Sequence, residues 1–491
     1  MLFNSYEFIF LFLPVVFLGF FWIAKTSHKL AALWLAVASL FFYGWWNPKF
    51  LLLLLASITL NYGFGYVLGH KRNSPSARSL LIVSVVTNLL VLGIFKYTNF
   101  FIATANDLTG QNFPALDIVL PLGISFYTFT QIAFLVDTYR GIAREYSFIH
   151  YILFVSYFPH LIAGPVLHHK QMMPQFAAPG TFSKNLEDIA AGLTIFTIGL
   201  AKKVLLADSF GEYATPVFSA ASSGAHPQLF AAWSGALAYT LQLYFDFSGY
   251  SDMAMGLSRL FGIKLPVNFS SPYKARNIIE FWRCWHITLS QFLKDYLYIP
   301  LGGNRHGKFR RYINLFITML LGGLWHGANW TFVVWGGLHG LYLVVNHAWH
   351  GVRQRFGVPP KDRSTRVTVV FSTGFTFLAV VIAWVVFRAD SLQTALIIFS
   401  DMSSIPTGLR ESLNAYRQFF ASQGLGVWRL AALLVGGLAI VWFAPNSQNY
   451  LERTSKIGWY PTPINALIWG VVLAICLTKM VTISEFLYFQ F

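Results

Sequence analysis

Charge is scarce in this sequence: 11% of its 491 residues are Asp, Glu, Lys or Arg, while 56% are hydrophobic. Soluble globules carry about 25% charged residues. A chain with less than half that share cannot coat itself for water, and a polytopic membrane protein is expected. Acid is scarcer than base, 19 residues against 35, for a net charge of +16. In so apolar a chain those cations fall into short loops facing anionic lipid. A nucleic-acid binder gathers its basic residues on a water-exposed domain, and no polar segment here is long enough to form one. Cysteine is nearly absent: Cys284 and Cys476 lie far apart in apolar stretches, which excludes a disulfide framework and a zinc spacing. Also missing are HExxH, GxSxG and a GxGxxG leading out of a strand. The stretch G-G-N-R-H-G-K at 302–308 fits GxxxxGK, but Phe309 stands where a P-loop needs Ser or Thr, so it reads as a basic turn.

Apolar runs are abundant. They recur near 8–24, 30–46, 50–69, 79–95, 118–136, 149–166, 189–207, 228–247, 312–330, 332–348, 367–387, 428–444 and 464–484. At about 20 residues per crossing they give an all-α polytopic membrane protein of roughly 11–14 transmembrane helices, some re-entrant. The first run follows Glu7 and no basic n-region, so it reads as a retained helix and not a signal peptide. Basic residues concentrate in alternate loops: Lys25 and Lys29, then Lys71, Arg72 and Arg78, then Arg140 and Arg144, with Lys49 and Lys96 alone between them. The positive-inside rule puts the first, third and fifth loops in the cytoplasm and the N-terminus outside. No fixed repeat or long linker divides the chain, so residues 1–491 are expected to form one membrane domain. The stretch 246–308, dense in Pro, Asn, Arg, Trp and Tyr, departs from the apolar pattern. Irregular backbone at membrane depth needs protein or a water-filled cavity around it, so a cavity is expected there.

Ionisable side chains in apolar runs are expensive and usually face the bundle interior or a wet pathway. His326 is one, in a glycine-rich segment where Asn329, at i+3, shares its helical face if the segment is helical. Its imidazole is suited to take a proton from a hydroxyl, or equally to bond a neighbouring helix as a packing residue. His286 would share a helical face with Trp282 and Arg283, either as a surface helix or as part of a site. Arg283, Lys294, Arg305 and Lys308 read as a lipid-facing basic rim or as a phosphate-binding group. Asp246, Ser248, Asp252 and Asn268 fit cavity-lining roles and also cap and turn roles. The spacing of His339, His347 and His350 supplies no metal-ligand pair, and no metal site is expected.

The same residues carry a family resemblance. The runs Y-F-D-F-S-G-Y-S-D-M at 244–253, E-F-W-R-C-W-H at 280–286, Y-L-Y-I-P-L-G-G-N-R at 296–305 and G-G-L-W-H-G-A-N at 322–329 resemble the membrane-bound O-acyltransferases, in their bacterial polysaccharide-acetylation branch. L-P-L-G-I-S-F-Y-T-F at 120–129 and F-P-H-L-I-A-G-P at 158–165 extend the match. The core is about 118–390; helices beyond about 400 match less well. The resemblance implies helices ringing a central funnel or tunnel, with the family's characteristic histidine at His326 and its second at His286, both catalytic. It implies acetyl transfer from a cytoplasmic thioester, acetyl-CoA, across the bacterial inner membrane for O-acetylation of an exported polysaccharide. Alginate is the first expectation, cellulose or peptidoglycan the alternatives. Extracytoplasmic acetyl-transfer partner proteins would complete the reaction, and no bound cofactor is needed. On that reading Asn329 helps hold the oxyanion, Arg283 and Arg305 bind donor phosphates, and Trp325 and Asp246 line the substrate path. A polysaccharide or lipid-linked sugar transporter is the competing class.

Overall fold

Among the described residues a side-chain cap opens nine of the twenty α-helices. The computed structural model describes residues 1–143, 147–357, 365–405, 408–452, 458–480 and 486–487. A π-helical turn over Glu7–Phe12 runs into α1 (Leu13–Ala24). Ser27 and Asn47 turn their side-chain oxygens onto the first free N–H groups of α2 (His28–Gly44) and α3 (Pro48–His70), satisfying donors that hydrocarbon cannot. The 34-residue α4 (Ser76–Thr109) closes on Gly110, whose φ of 68° only glycine adopts freely. α5 (Ile124–Arg140) is followed by α6 (Phe148–Ser156) and α7 (His169–Ala177). A π-helical segment over Lys202–Ala207 joins α8 (Leu186–Ala201) to α9 (Asp208–Ser222). Then come the 33-residue α10 (Gln228–Leu260), the short α11 (Ile278–Cys284) and α12 (Ile287–Leu293), and a hairpin of α13 (Gly307–His326) and α14 (Trp330–Arg355). α15 (Arg366–Arg388), α16 (Leu392–Met402), α17 (Leu409–Ala421), α18 (Val427–Phe443), α19 (Ser447–Leu451) and α20 (Pro463–Lys479) complete the chain.

Among the described residues every regular element is helical. Among those residues, five helical stretches are long and apolar enough to cross a membrane by themselves, and shorter apolar helices accompany them. The chain is an all-α, multi-pass membrane protein. Its basic loops gather at one end: α1 and α2 meet at Lys25, α3 and α4 at Lys71, and Arg72 donates to the carbonyl of Arg140 where α5 stops. Arg144, counted with that loop, lies outside the described residues. The far end carries Trp46, Gly110 and Gly123.

Three expectations change. The apolar run 149–166 is not one crossing, because helix stops at Ser156 and Tyr157–Leu167 turns back on itself; Pro159 and Pro165 remove the N–H groups a helix would need. The irregular stretch begins later than 246, since α10 continues as regular helix to Leu260. Finally, Trp282, Arg283 and His286 do not share a helical face. α11 ends at Cys284, and His286 sits in the left-handed region (φ 43°) at the start of α12.

The α13–α14 hairpin is held by glycine. A Cβ on Gly323 would meet the Phe332 carbonyl oxygen at 2.2 Å, and one on Gly336 the Met319 carbonyl oxygen at 2.4 Å. Without hydrophobic drive between helices in lipid, such close backbone approach supplies much of the packing. Gly323→Ala is therefore expected to wedge the hairpin open at a cost of about 1–3 kcal/mol. Thermal unfolding in detergent, run beside native protein, checks this.

Candidate active site

α13 stops because Gly327 is extended (φ −159°, ψ 152°), leaving His326 as the last helical residue, buried and at the turn of the hairpin. Rings enclose it: Trp335 edge-on at 5.1 Å, Phe387 at 5.4 Å and Trp325 at 5.0 Å between centroids. The His286 ring is 6.4 Å away. Two histidines from segments 40 residues apart thus meet, although the reason expected for His286, a shared helix face, does not hold.

His286 is held in its left-handed conformation by backbone bonds on either side. Ser270 N–H donates to the Cys284 carbonyl and Ile287 N–H to the Asn268 carbonyl. A non-glycine residue at positive φ is uncommon and is retained where its surroundings dictate it. Its Nδ1 lies 3.1 Å from Asn268 Oδ1, which also accepts from Thr288 N–H (3.3 Å) and Thr288 Oγ1 (2.9 Å). Because that amide oxygen accepts from Thr288, Nδ1 must carry the proton of a neutral imidazole. The lone pair then falls on Nε2.

Two cavities approach this pair from opposite ends of the molecule. The far-end cavity, about 300 Å³, is lined by Trp46, Lys96, Ser125, Ile162, Trp325 and His326. The basic-end cavity, about 630 Å³, is lined by Asp137, Arg140, His168, Lys170, Thr288 and Tyr296 among others. Between them runs a line of aromatic rings. Trp325 stacks on Phe129 (5.2 Å), Phe129 on Phe292 (4.3 Å), and Phe292 meets Tyr296 at 4.9 Å. Thr288, on the wall of the larger cavity, reaches His286 through Asn268.

The other sequence-chosen residues fall elsewhere, Trp325 excepted. Asp246 is buried against Lys203 Nζ (2.8 Å) and accepts the Leu487 N–H (3.0 Å), so its carboxylate is used in an ion pair rather than on the substrate path. Asn329 does not share a helical face with His326, because the helix has already ended. Its side chain caps α14 through Thr331 N–H and donates to the Asp390 carbonyl, so it is not directed as an oxyanion donor. Arg283 and Arg305 belong to neither cavity lining among the described residues. Sequence reading passed over His168 and Lys170, at the start of α7, and counted Arg140, at the end of α5, and Lys96 only as loop charges.

Comparison with known proteins gives this geometry its context. Residues 115–387 match the model of the membrane-bound O-acyltransferase family. Over all of this chain and 98% of the relative, it is 39% identical to a peptidoglycan O-acetyltransferase of Helicobacter pylori. Over 84% of the chain and 77% of the relative, it is 44% identical to a probable alginate O-acetylase of Pseudomonas aeruginosa. It is 28% identical, over 54% of the chain and 68% of the relative, to a teichoic acid D-alanyltransferase of Streptococcus thermophilus. With the family model spanning more than half its length and two O-acetyl-transferring relatives above 30% identity, the chain belongs to the membrane-bound O-acyltransferase family, as a membrane O-acetyltransferase.

Proposed function

We propose that this enzyme takes acetyl from acetyl-CoA on the cytoplasmic side of the bacterial inner membrane and delivers it to an acceptor on the outer side, for O-acetylation of an exported polysaccharide. The observation that carries the reading is the pair of cavities that approach the two histidines from opposite ends, the smaller lined by His326 and the larger reaching His286 through Thr288 and Asn268. The basic end faces the cytoplasm by the positive-inside rule, which puts the N-terminus outside. The larger cavity then receives the donor, and the smaller one the acceptor hydroxyl.

In the reaction, His326 accepts the proton as the acceptor oxygen attacks the thioester carbonyl. The tetrahedral intermediate collapses with cleavage of the C–S bond, and the departing thiolate takes the proton from His326. His286, with its Nε2 lone pair and its orientation fixed through Asn268, orders the reacting groups. The aromatic wall keeps bulk water from the thioester, limiting hydrolysis. Higher identity to the probable alginate O-acetylase favours alginate as the polymer. The full-length match to the peptidoglycan enzyme makes peptidoglycan the second reading. Extracytoplasmic partner proteins complete transfer to the polymer, since the outer cavity is too small for a polysaccharide chain.

Sidedness tests the scheme. In oriented proteoliposomes, radiolabelled acetyl-CoA supplied at the basic face should label an acceptor at the other. Labelling only from the opposite face would reverse it. Arg140 and Lys170 stand where donor phosphates would rest. Charged hydrogen bonds contribute about 1.5–3 kcal/mol each, so Arg140→Ala with Lys170→Ala should raise the KM for acetyl-CoA by about tenfold or more while kcat changes little. Steady-state kinetics with varied donor decides this.

A further inference from the structure

A lysine inside a membrane bundle is costly, and Lys96 lies well within the span of α4. Its Nζ is 2.6 Å from the Trp325 carbonyl oxygen, 3.1 Å from that of His326 and 3.3 Å from Ser125 Oγ. The neighbouring Tyr97 hydroxyl donates to the Leu324 carbonyl at 2.9 Å. Three successive carbonyls at the end of α13, which have no partner within their own helix, are thus taken by two adjacent side chains from a helix about 230 residues earlier in the sequence. Most helix ends are closed by their own following turn, often through a left-handed residue. Here Gly327 is extended and no such turn forms. The cation also sits at the negative end of the α13 dipole, and it lines the same outer cavity as His326.

We propose that Lys96 is a positioning residue of the acyl transfer. Its ammonium, assisted by Tyr97, clamps the last turn of α13 and so sets the direction in which His326 presents its imidazole to the outer cavity. This rests on His326 being the group that handles the acceptor's proton. A backbone displacement of about 1 Å at a reacting group costs on the order of 10²-fold in rate, which is the scale the clamp controls. Ser125, at the start of α5, completes the cradle and ties three elements to one ammonium.

The test is acetyl transfer by purified, reconstituted enzyme, with kcat expressed per folded molecule and folding checked by thermal unfolding in detergent. Lys96→Met is expected to lower kcat by about 10- to 100-fold while the KM for acetyl-CoA stays within about twofold. Lys96→Arg, which keeps the cation, should recover most of the loss. Tyr97→Phe, which removes one of the three contacts, should lower kcat by a few fold with the same unchanged KM. A lysine that only stabilises the fold would reduce the folded fraction and leave kcat per folded molecule intact. That result in Lys96→Met overturns the proposal, as does a loss carried wholly by KM or an arginine variant no better than methionine. Should Lys96→Met fail to fold, Lys96→Arg and Tyr97→Phe decide: native kcat in Tyr97→Phe together with strongly impaired Lys96→Arg overturns it, and the expected graded losses support it. His326→Ala run in parallel separates the two failures. If it keeps native activity, the underlying reading falls; if it is inactive while Lys96→Met is fully active, only the clamp does.

Discussion

His326→Ala is expected to lower acetyl transfer by about 10²–10⁴-fold, the range general acid–base groups contribute, while the helices remain assembled. The side chain is buried, so its removal leaves a void among Trp325, Trp335 and Phe387 and costs some stability. His326→Gln, which keeps a polar group of similar length but cannot exchange a proton near neutrality, distinguishes chemistry from packing. Both variants are compared with native enzyme in proteoliposomes with radiolabelled acetyl-CoA and candidate partner proteins, at matched amounts of folded protein. Loss in both supports proton handling by His326. Loss in alanine alone assigns the residue to packing, and full activity in both removes it from the reaction.

Local sequence revealed the histidines because ionisable groups in apolar runs stand out against their cost. What it could not reveal was what lies across from them. Asn329 was placed beside His326 by helical spacing, but spacing carries no notice that Gly327 ends the helix, and the amide turned out to cap the next one. The basic cluster around Arg283 and Arg305 was visible because it is contiguous in sequence. The cavity cations Arg140 and Lys170 come from different helices, α5 and α7, and only tertiary packing joins them. Lys96 is the plainest case. Positive-inside counting reads an isolated lysine between apolar runs as loop charge, yet α4 continues past it for 13 residues to Thr109. Long-range pairing also explains Asp246, whose motif was legible while its partner Lys203 was not.

Lys203→Met is expected to destabilise the protein by about 3–5 kcal/mol, because removing one partner of a buried ion pair strands the other's charge. Lys203 Nζ lies 2.8 Å from both Asp246 and Asp208, and Lys202 lies 2.6 Å from Asp252. In a regular α-helix successive residues point about 100° apart. The π-helical segment beginning at Lys202 accompanies the turn of both lysines toward acids on α10. The network extends to the C-terminal part of the chain: Ser447 Oγ donates to Asp252, the Leu487 N–H donates to Asp246, and Lys203 Nζ sits 4.8 Å from the Phe486 ring. Methionine fills the space but leaves the buried Asp246 carboxylate without its cation. The double variant Lys203→Met, Asp246→Asn should recover part of the loss. Thermal unfolding of the single and double variants in detergent measures both; equal stability of Lys203→Met and native protein would mean the acids find other partners.

The line of rings from Trp325 through Phe129 and Phe292 to Tyr296 bears on bacterial energetics. A membrane potential does about 2.3 kcal/mol of work per elementary charge per 100 mV. On the proposed reading the multiply charged coenzyme stays on its own side of those rings, and only an uncharged two-carbon group passes them. Voltage then does no net work on the crossing. Decoration of the cell envelope would draw on the free energy of the thioester alone, leaving the proton gradient to other uses.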